Sequence, residues 1–485
     1  MKTQPMAHQT EGLRRLSAAP EFYALGCEQG TGKTWMLLAD AERRFLAGEI
    51  DALLVVAPKG VHVNWVRREI PAHVSVPVRA EFWLSGASKK HMTRLEKLMT
   101  PPEDRALTVL TMNVDAVNTK AGLAFARRFL QRYPAMMVVD ESQRIKNLDA
   151  MRTKRVLSLG AFAATRRIAS GTLVPNSPLD LFGQFEFLRP GLLGTRSYRA
   201  FVAEYAELLP PSHRLVQEIM GRSRRGGVPQ LVNRDRYGRP IYRNLDKLAG
   251  LIAPHTYRVL KSECLDLPEK VYQTHYFELS RPQRHLYERV KAEQRWERAD
   301  GELDIFTALT AINKLRQLTS GFLILNGEAT HLTDQKPRLD ALKDVVEDLD
   351  GQFIVWASFR EELAHVERAL RAAGIETVSY HGGTSSKARE HAVDAFQSGE
   401  ARAFVGHPAA GGTGLTLTAA TTAIYYSCDF SYEQRAQSED RCHRIGTKQP
   451  VTYIDLVARD TIDERIAAAL QTKEDTAEAI LSLLE

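Results

Sequence analysis

A short glycine-rich segment, GCEQGTGKT, has the residues of a loop that binds phosphate. Gly30 and Gly32 leave the backbone free to wrap its N–H groups around an anion, and Lys33 can reach the β and γ phosphate oxygens. The Thr34 hydroxyl is a ligand for Mg²⁺, and the helix that follows adds the positive charge of its N-terminus. The strict pattern has glycine where this chain has Cys27, so a chance glycine turn is the alternative to a nucleoside triphosphate site.

Two carboxylates follow a continuous apolar run, AMMVVDE, further along the chain. The run predicts a buried strand, and the carboxyl end of such a strand is where α/β proteins bind ligands. Asp140 is then placed to hold Mg²⁺, and Glu141 to orient and deprotonate an attacking water. Because the pair follows the glycine-rich loop at a spacing typical of nucleoside triphosphatases, we favour this interpretation over a solvated acidic pair.

Two arginines in the segment QSEDRCHRIG could supply positive charge to the phosphate groups of a bound nucleotide. Arg441 and Arg444 are three residues apart, which predicts that they share one face of a helix. Guanidinium groups offered from a second unit stabilise charge on a phosphoryl group during transfer. The alternative is a pair of surface arginines.

Two series of short apolar runs predict the elements that carry these residues. Continuous apolar strands that alternate with helical segments indicate parallel sheets covered on both faces. One series lies in residues 1–190 and the other in 336–485, whereas residues 191–335 read mainly as helix. The strand candidates are ALLVVAP, LTVLTM, AMMVVDE and RRIASGT, followed by QFIVWAS, ETVSYHG, ARAFVGH, TAIYYSC and VTYIDLV.

The composition is that of a globular protein. The 485 residues are 44% hydrophobic and 26% charged, which excludes a disordered chain, a collagen and a coiled-coil rod. No apolar run is long enough to span a bilayer or to form a signal peptide, so we expect no membrane segment. The four cysteines form no CxxC pair, which fits a reducing cytosol rather than a disulfide or zinc scaffold.

Positive charge is concentrated between Arg214 and Lys247. Nine basic residues stand against three acidic ones in this stretch, a surplus of +6 that equals the surplus of the whole chain. Its glycine and proline residues indicate that part of it is loop. Two interpretations stay open: a solvated surface insertion, and a flexible arm that follows a phosphate backbone.

The order of these motifs resembles that of the Swi/Snf family of DNA-dependent ATPases in helicase superfamily 2, over nearly the whole chain. KLRQLTSGF and QSEDRCHRIG are similar to the annealing-helicase (HARP-like) branch, common among bacterial and phage members. The matching segments are HQTEGLRRL, GCEQGTGKT, LLVVAPKGVHVNWVRREI, LTVLTMNV, DESQRIKN, IASGTLVPNSPLDLFGQFEFLRP, NKLRQLTSGFL, IVWASFREELAHVERAL, YHGGTSSKAREHAVDAFQ, GHPAAGGTGLTLTAA, QSEDRCHRIG and VTYIDLVARDTIDERI.

The resemblance implies an α/β fold of two tandem RecA-like lobes, each a parallel sheet covered by helices, with helical insertions between them and a C-terminal brace helix. The implied boundaries are an ATP-binding lobe at 1–190, a basic helical insertion at 191–262, a linker and second insertion at 263–335, and a second lobe with its brace at 336–485. DNA bound across both lobes would favour closure of the cleft between them, which brings Arg441 and Arg444 to the γ-phosphate.

The resemblance also assigns residues to ligands. The catalytic candidates are Lys33, Glu141, Arg441 and Arg444, and the candidate Mg²⁺ ligands are Thr34 and Asp140. The nucleotide-binding candidates are Gln9, placed to contact adenine, with Gln29, Gly30, Thr31, Gly32, Lys33, Thr34 and Gly414. The DNA-binding candidates are Lys59, Thr111, Ser358, Thr413, Arg222, Arg224 and Arg225.

The implied function is a motor that uses ATP and Mg²⁺ to move along double-stranded DNA, whether plain, forked or branched. We expect it to act as a monomer in the cytoplasm of a bacterial or phage-infected cell, with no membrane and no identifiable protein partner. One departure bears on its mechanism. Gln143 stands where the family's DEAH box usually has a histidine that couples the nucleotide site to the next motif, so this coupling is expected to differ.

Two other classes of function stay open. One is a strand-separating helicase on RNA or DNA, against which the Asn64-Trp65 pair and the helical insertions argue. The other is a DNA-binding scaffold that does not hydrolyse ATP, against which the intact Lys33, Asp140 and Glu141 argue.

Overall fold

The computed structural model of the chain describes most of its residues. The described ranges are 1–19, 21–222, 228–236, 239–299, 305–325, 328–409, 415–444, 446–447 and 449–481. The side chains of 221–222, 293–299, 305–309, 386 and 474–481 are outside the description. The chain divides into two compact units, Met1–Asp266 with Thr472–Glu485, and Leu267–Gln471.

The first unit is built on a seven-stranded sheet in which every paired neighbour is parallel. Its strands are β1 (Phe22–Cys27), β2 (Ala52–Ala57), β3 (Val78–Phe82), β4 (Leu107–Asn113), β5 (Ala135–Asp140), β6 (Thr165–Ala169) and β7 (Thr256–Val259). They are arranged in the order β3-β4-β2-β5-β6-β1-β7. All residues of β1, β2 and β5 are buried, as their continuous apolar runs predict.

Helices join and cover these strands. They are α1 (Ala7–Ala18), α2 (Lys33–Leu46), α3 (Val61–Asn64), α4 (Ile70–His73), α5 (Lys89–Lys97), α6 (Lys120–Arg132), α7 (Met151–Gly160), α8 (Leu181–Leu188), α9 (Tyr198–Tyr205), α10 (Arg214–Arg222), α11 (Leu245–Ile252) and α12 (Lys261–Cys264). A π-helical segment covers Trp65–Glu69, and 3₁₀ turns cover Ala116–Asn118, Ser142–Ile145, Pro178–Asp180 and Ala253–His255.

A buried cluster of charges fastens α2 to the sheet. Asp40, on α2, is fully buried and accepts hydrogen bonds from Arg44 Nε at 2.9 Å and from Arg167 Nε, on β6, at 3.0 Å. Both guanidinium groups also donate to the carbonyl of Ala19. These bonds satisfy the buried charges and fix the helix that follows the glycine-rich loop.

The second unit is built on a six-stranded parallel sheet in the order β12-β13-β11-β14-β15-β8, with a separate antiparallel hairpin, β9–β10. Its strands are β8 (Lys270–Phe277), β9 (Phe322–Leu325), β10 (Glu328–His331), β11 (Phe353–Trp356), β12 (Thr377–Tyr380), β13 (Ala403–Gly406), β14 (Thr422–Tyr425) and β15 (Val451–Ala458). Its helices are α13 (Arg281–Ala299), α14 (Ile305–Thr319), α15 (Pro337–Glu347), α16 (Arg360–Ala372), α17 (Ser386–Gln397), α18 (Tyr432–Glu439) and α19 (Ile462–Leu481).

The predicted α/β class is confirmed: both sheets are parallel, and each apolar run named above forms one of their strands. The described part of the stretch 191–335, which reads mainly as helix, also contains four strands: β7 and β8, one edge strand for each parallel sheet, and the β9–β10 hairpin. Among the described residues, no helix is both long and apolar enough to cross a membrane.

Candidate nucleotide site

The glycine-rich loop connects β1 to α2 at the carboxyl edge of the first sheet. Gly30 and Gly32 have φ angles of 88° and 85°, in the left-handed region that side chains rarely adopt. A Cβ atom on Gly32 would lie 2.0 Å from Gln9 Nε2. The backbone conformation therefore favours glycine at position 32, and a side chain there would also displace the amide group of Gln9.

Helix α1 packs Gln9 against this loop. Gln9 is buried, its Nε2 donates to Thr31 O at 3.3 Å, and its Oε1 accepts from Met6 N at 2.9 Å. The neighbouring ring of His8 also lies 2.7 Å from Thr31 O. The structure thus brings together Gln9, Thr31 and the loop glycines, which the sequence separates by about 20 residues.

The ammonium group of Lys33 lies inside the curve of the loop. Its Nζ donates to Cys27 O at 2.8 Å and to Glu28 O at 3.1 Å. Cys27 is buried, and burial raises the pKa of its thiol to about 12, so the thiol stays protonated and donates to Tyr257 O at 3.4 Å. Cys27 therefore acts as a small neutral core residue and adds no negative charge beside the lysine.

The strand order places the two carboxylates next to this loop. β5, which ends at Asp140, pairs with β6, and β6 pairs with β1. Asp140 Oδ2 accepts from the indole Nε1 of buried Trp65 at 3.1 Å, and Oδ1 accepts from Glu141 N at 3.0 Å. Burial, followed by the charge of Glu141, raises the pKa of Asp140 above its usual range.

Glu141 is held on both sides by glutamine side chains. Its φ of 53° turns the chain sharply after β5. Gln29 Nε2, from the glycine-rich loop, donates to Oε1 at 3.3 Å, and Gln143 Nε2 donates to Oε2 at 2.8 Å. Gln143 Oε1 in turn accepts from Ser170 Oγ, just after β6, at 2.7 Å. A continuous chain of hydrogen bonds therefore joins the loop to the segment after β6.

Gln143 makes the connection for which a histidine was expected. An amide side chain can donate from nitrogen and accept at oxygen at the same time, as a neutral imidazole can with its two nitrogens. Gln143 and Ser170 are both buried, which protects these bonds from water. The link between Glu141 and the segment after β6 is thus present, although its chemical group differs from the family's usual one.

The residues at this edge fit a nucleoside triphosphate with Mg²⁺. Asp140 and Glu141 are adjacent carboxylates at a largely buried position, and their mutual repulsion would be lowered by a divalent cation. Carboxylate and hydroxyl oxygens, here from Asp140 and Thr34, are the ligands that Mg²⁺ prefers. Lys33 and the N-terminus of the fourteen-residue α2 provide positive charge for phosphate groups.

Two residues of this site had no assigned role in the sequence. Trp65 donates to Asp140 across 75 positions, and Ser170 reaches Glu141 through Gln143. Both lie in segments that resemble family motifs, VNWVRRE and IASGT, but the resemblance did not give their contacts. Their signal is a polar group on a residue that is expected to be buried, the indole N–H of Trp65 and the hydroxyl of Ser170 directly after β6, because a buried polar group needs a partner.

The prediction that Arg441 and Arg444 share a helix face is wrong. Helix α18 ends at Glu439, and both arginines lie in the turn that follows. The carbonyl of Arg441 accepts from Leu417 N at 2.9 Å, and Arg444 Nη1 donates to Leu415 O at 3.2 Å. These contacts with another segment of the second unit replace the next helical turn.

The DNA-binding candidates fall into three groups. Lys59 is exposed just after β2, and Ser358 is half-buried just after β11, where its Oγ donates to Ser427 O at 3.2 Å. Thr111 is a correction: its side chain is fully buried in β4 and donates to His62 O at 2.6 Å, so its hydroxyl does not face a ligand. The third group, Thr413, Arg224, Arg225 and the side chain of Arg222, lies outside the described residues, as does the nucleotide-binding candidate Gly414.

Part of the basic stretch is folded against the first unit. Asn233 N donates to Glu207 O at 2.6 Å, and Glu207 N donates to Ile241 O at 3.0 Å, so the described residues 228–236 and 239–247 are tied to the chain before them. The idea of a flexible arm is wrong for these residues. Three of the basic side chains also lie near carboxylates, in the pairs Arg214–Glu218, Arg239–Asp235 and Lys247–Glu204.

Two family models match this chain. The SNF2-related domain matches residues 8–322, and the helicase conserved C-terminal domain matches residues 337–446. The first match alone covers more than half of the chain and includes all the loop and carboxylate residues described above.

The chain is similar to several known proteins. A TATA-binding protein-associated factor, BTAF1, of Arabidopsis thaliana is 25% identical over 99% of this chain and 25% of its own length. An uncharacterized ATP-dependent helicase of Mycoplasma pneumoniae is 24% identical over 96% of this chain and 41% of its own length. The Sulfolobus solfataricus SWI2/SNF2 ATPase core in complex with dsDNA is 20% identical, with a TM-score of 0.41, over 99% of this chain and 94% of that chain.

This chain thus spans less than half the length of these two curated relatives. Its own two matched domains nevertheless follow in the order of a helicase-type ATPase, and the first contains the glycine-rich loop and the paired carboxylates. The chain belongs to the SNF2-related (Swi/Snf) family of ATPases in helicase superfamily 2.

Proposed function

We propose that this chain hydrolyses ATP to ADP and phosphate with Mg²⁺, that double-stranded DNA stimulates this reaction, and that the chain uses it to move along the duplex. The observation that carries the proposal is the position of Glu141. Gln29 of the glycine-rich loop and Gln143 hold its two oxygens, next to the Asp140 carboxylate. A carboxylate held beside a phosphate-binding loop is suited to orient and deprotonate water.

The other residues of the site have distinct roles in this proposal. The backbone of Gly30 and Gly32 with the ammonium of Lys33 binds the phosphates, and Gln9 contacts the adenine. Thr34 and Asp140 hold Mg²⁺, which when bound neutralises negative charge on the phosphate oxygens. Trp65 and Gln143 are positioning residues, because they act through Asp140 and Glu141.

In this proposal, arginine side chains of the second unit stabilise the negative charge that develops on the γ-phosphate during transfer. Arg441 and Arg444 are our candidates for guanidinium groups that contact the γ-phosphate when DNA favours closure of the two lobes. Gly414 is proposed as a further nucleotide contact. The domain boundaries given above belong to the same proposal, with residues 191–262 as a basic insertion of the first lobe.

DNA contacts are proposed for Lys59, Ser358, Thr413 and the basic stretch around Arg222, Arg224 and Arg225. A protein that moves along DNA without reading sequence needs contacts mainly with phosphates, which lysine, arginine, serine and threonine can provide. The support is the family's implied substrate together with the +6 surplus between Arg214 and Lys247.

Steady-state ATP turnover tests the proposal when it is measured without nucleic acid and with single-stranded DNA, duplex DNA, a fork and RNA. We expect duplex DNA to stimulate turnover most, and displacement of a triplex-forming strand from duplex DNA to report movement. Stimulation by RNA alone would contradict the proposal. Release of a strand from the fork without triplex displacement would favour the strand-separating helicase instead.

A further inference from the structure

Three potential metal ligands, none of which has been given a role so far, meet in the second unit. His331 is the last residue of the hairpin strand β10, and Glu361 and His365 lie one turn apart on α16. His331 Nε2 is 3.4 Å from Glu361 Oε1, and His365 Nε2 is 3.2 Å from the same oxygen. Two imidazoles from different elements therefore approach one carboxylate oxygen.

These distances match the spacing of ligands around a tetrahedral zinc ion. Zinc binds histidine nitrogen and carboxylate oxygen at about 2.0–2.2 Å, so neighbouring ligand atoms in a tetrahedron are about 3.3 Å apart. The three ligand atoms all lie within 4.8 Å of one another. The His331 side chain is 42% exposed, so it has room to rotate and bring the two imidazole nitrogens to the separation that the ion requires.

Burial adds to this geometry. The ring of His365 is buried, and it contacts the same Glu361 oxygen that His331 approaches from the exposed end of β10. A histidine binds a cation through an unprotonated ring nitrogen, and the carboxylate supplies negative charge for that cation.

The surroundings leave room for a further ligand. A small cavity of mixed polarity opens beside the two histidines, and its lining includes Gln283, Ser320, Leu339 and the cationic side chains of Lys336 and Arg338. Sites with two histidines and one carboxylate are typical of zinc centres that keep one position for water. The same set would also fasten the β9–β10 hairpin to α16.

We propose that His331, Glu361 and His365 form a binding site for a divalent cation of the zinc class, with a water molecule from the cavity as fourth ligand. This site lies wholly in the second unit and shares no residue with the proposed ATP reaction. Metal binding at this site requires no nucleic-acid substrate, so it can be tested independently of the proposed function.

Direct binding of Zn²⁺ to the full chain tests this site. The metal-stripped chain is titrated with zinc chloride by calorimetry, with Mg²⁺ in excess to occupy the proposed nucleotide-site carboxylates. We expect one zinc ion per chain, and His331→Ala or His365→Ala should weaken that binding by 100-fold or more, since even indirect partners of a metal contribute about 10–100-fold. His391→Ala, at an exposed position on α17, is the matched control and should bind zinc as the wild type does.

Cobalt provides a second readout that depends on geometry. Co²⁺ in place of Zn²⁺ should give the visible absorption of a four-coordinate ion, and Glu361→Gln should abolish it while circular dichroism shows a folded chain. Zinc binding that is unchanged in His331→Ala would overturn the proposal, because that exposed residue can be removed without disturbing the core. Absence of stoichiometric binding to the wild type would overturn it as well.

Discussion

Each unit has a buried carboxylate close after a central strand of its sheet, Asp140 at the end of β5 and Glu362 in the first turn of α16 after β11, but the two are surrounded differently. In the second unit Glu362 accepts hydrogen bonds from Ser358 N and Phe359 N, both at 3.0 Å. It also accepts from Ser427 Oγ at 2.6 Å and Ser320 Oγ at 2.5 Å. These four donors match the number of bonds that a carboxylate can readily accept.

In the first unit, the carboxylates of Asp140 and Glu141 each accept fewer hydrogen bonds than Glu362 does. Within the described part of the chain, Asp140 accepts from Trp65 and from the backbone of Glu141, and Glu141 accepts from Gln29 and Gln143. The two negative charges are adjacent, and the pKa of Asp140 is raised. A satisfied carboxylate stabilises its own unit, whereas an adjacent, incompletely neutralised pair is suited to bind a cation and act on water.

The strongest test of this contrast concerns the positive charge proposed to come from the second unit. Arg441→Ala and Arg444→Ala should each lower kcat on duplex DNA by about 10³-fold or more and leave ATP affinity nearly intact. Lysine at either position should rescue poorly, because a point charge lacks the planar guanidinium. Arg459→Ala, at an exposed position in the same unit, is the control. Normal turnover in both alanine variants would show that the second unit contributes no charge to the reaction.

Lys33 and Glu141 should separate binding from chemistry within the first unit. Lys33→Ala should lose ATP affinity as well as turnover, because the ammonium contacts phosphate before the reaction. Glu141→Gln should keep ATP affinity and lose turnover by about 10²–10³-fold, as when one preorganised polar group is removed. Fluorescent-nucleotide titration and steady-state turnover measure the two quantities. Equal ATP affinities in the two variants would contradict these roles.

The corresponding substitution in the second unit, Glu362→Gln, tests whether the loss of turnover is specific to Glu141. The Glu362 carboxylate accepts four hydrogen bonds, and in Glu362→Gln the amide NH₂ would face some of the same donors. This change should lower the free energy of unfolding by about 1–3 kcal/mol. Turnover per folded molecule should stay near the wild-type value below the melting transition. A loss of turnover as large as that of Glu141→Gln would erase the distinction between the two carboxylates.

A smaller effect is expected at Gln143, which connects the two ends of the hydrogen-bond chain. Gln143→Ala leaves Ser170 and one oxygen of Glu141 without their buried partner, so kcat should fall by about 10–100-fold, equivalent to the loss of one buried hydrogen-bonding group. Gln143→His, which can donate and accept in the same way, should restore most of the rate. If both variants equal the wild type in turnover on duplex DNA, Gln143 does not position Glu141.

What the sequence could predict depends on distance along the chain. The loop from Gly30 to Thr34 and the pair after β5 are local patterns next to continuous apolar strands, so their elements and edge could be predicted. The contact of Trp65 with Asp140 spans 75 residues and depends on how the π-helical segment Trp65–Glu69 lies against the end of β5, which no local pattern contains. Likewise, α18 ends at Glu439, and the turn after it bonds to a distant segment, where Leu417 N donates to Arg441 O, a contact that the local sequence does not contain. β8 was missed because it is an edge strand with several exposed residues and lacks a continuous apolar run.

The least effect on turnover is expected in the basic stretch, where only DNA affinity should change. Replacing Arg222, Arg224 and Arg225 with alanine removes charges that we propose to contact phosphates. If all three do, the slope of log affinity against log salt should fall by about 2.7, or 0.9 per phosphate. Turnover at saturating DNA should stay unchanged, because these residues belong to no catalytic motif.

Other basic residues of the same stretch offer a matched control for that experiment. Arg214, Arg239 and Lys247 lie in the same basic region, but each is near a carboxylate, at 2.7, 3.4 and 2.7 Å. A triple alanine variant of these residues removes the same formal charge as the first triple variant. Because these three cations already contact carboxylates, we expect them to contribute fewer phosphate contacts, and the salt slope should change less. Equal slopes in the two triple variants would mean that general charge and not local phosphate contact governs affinity. Loss of turnover at saturating DNA in the first variant would show instead that the stretch takes part in closing the lobes.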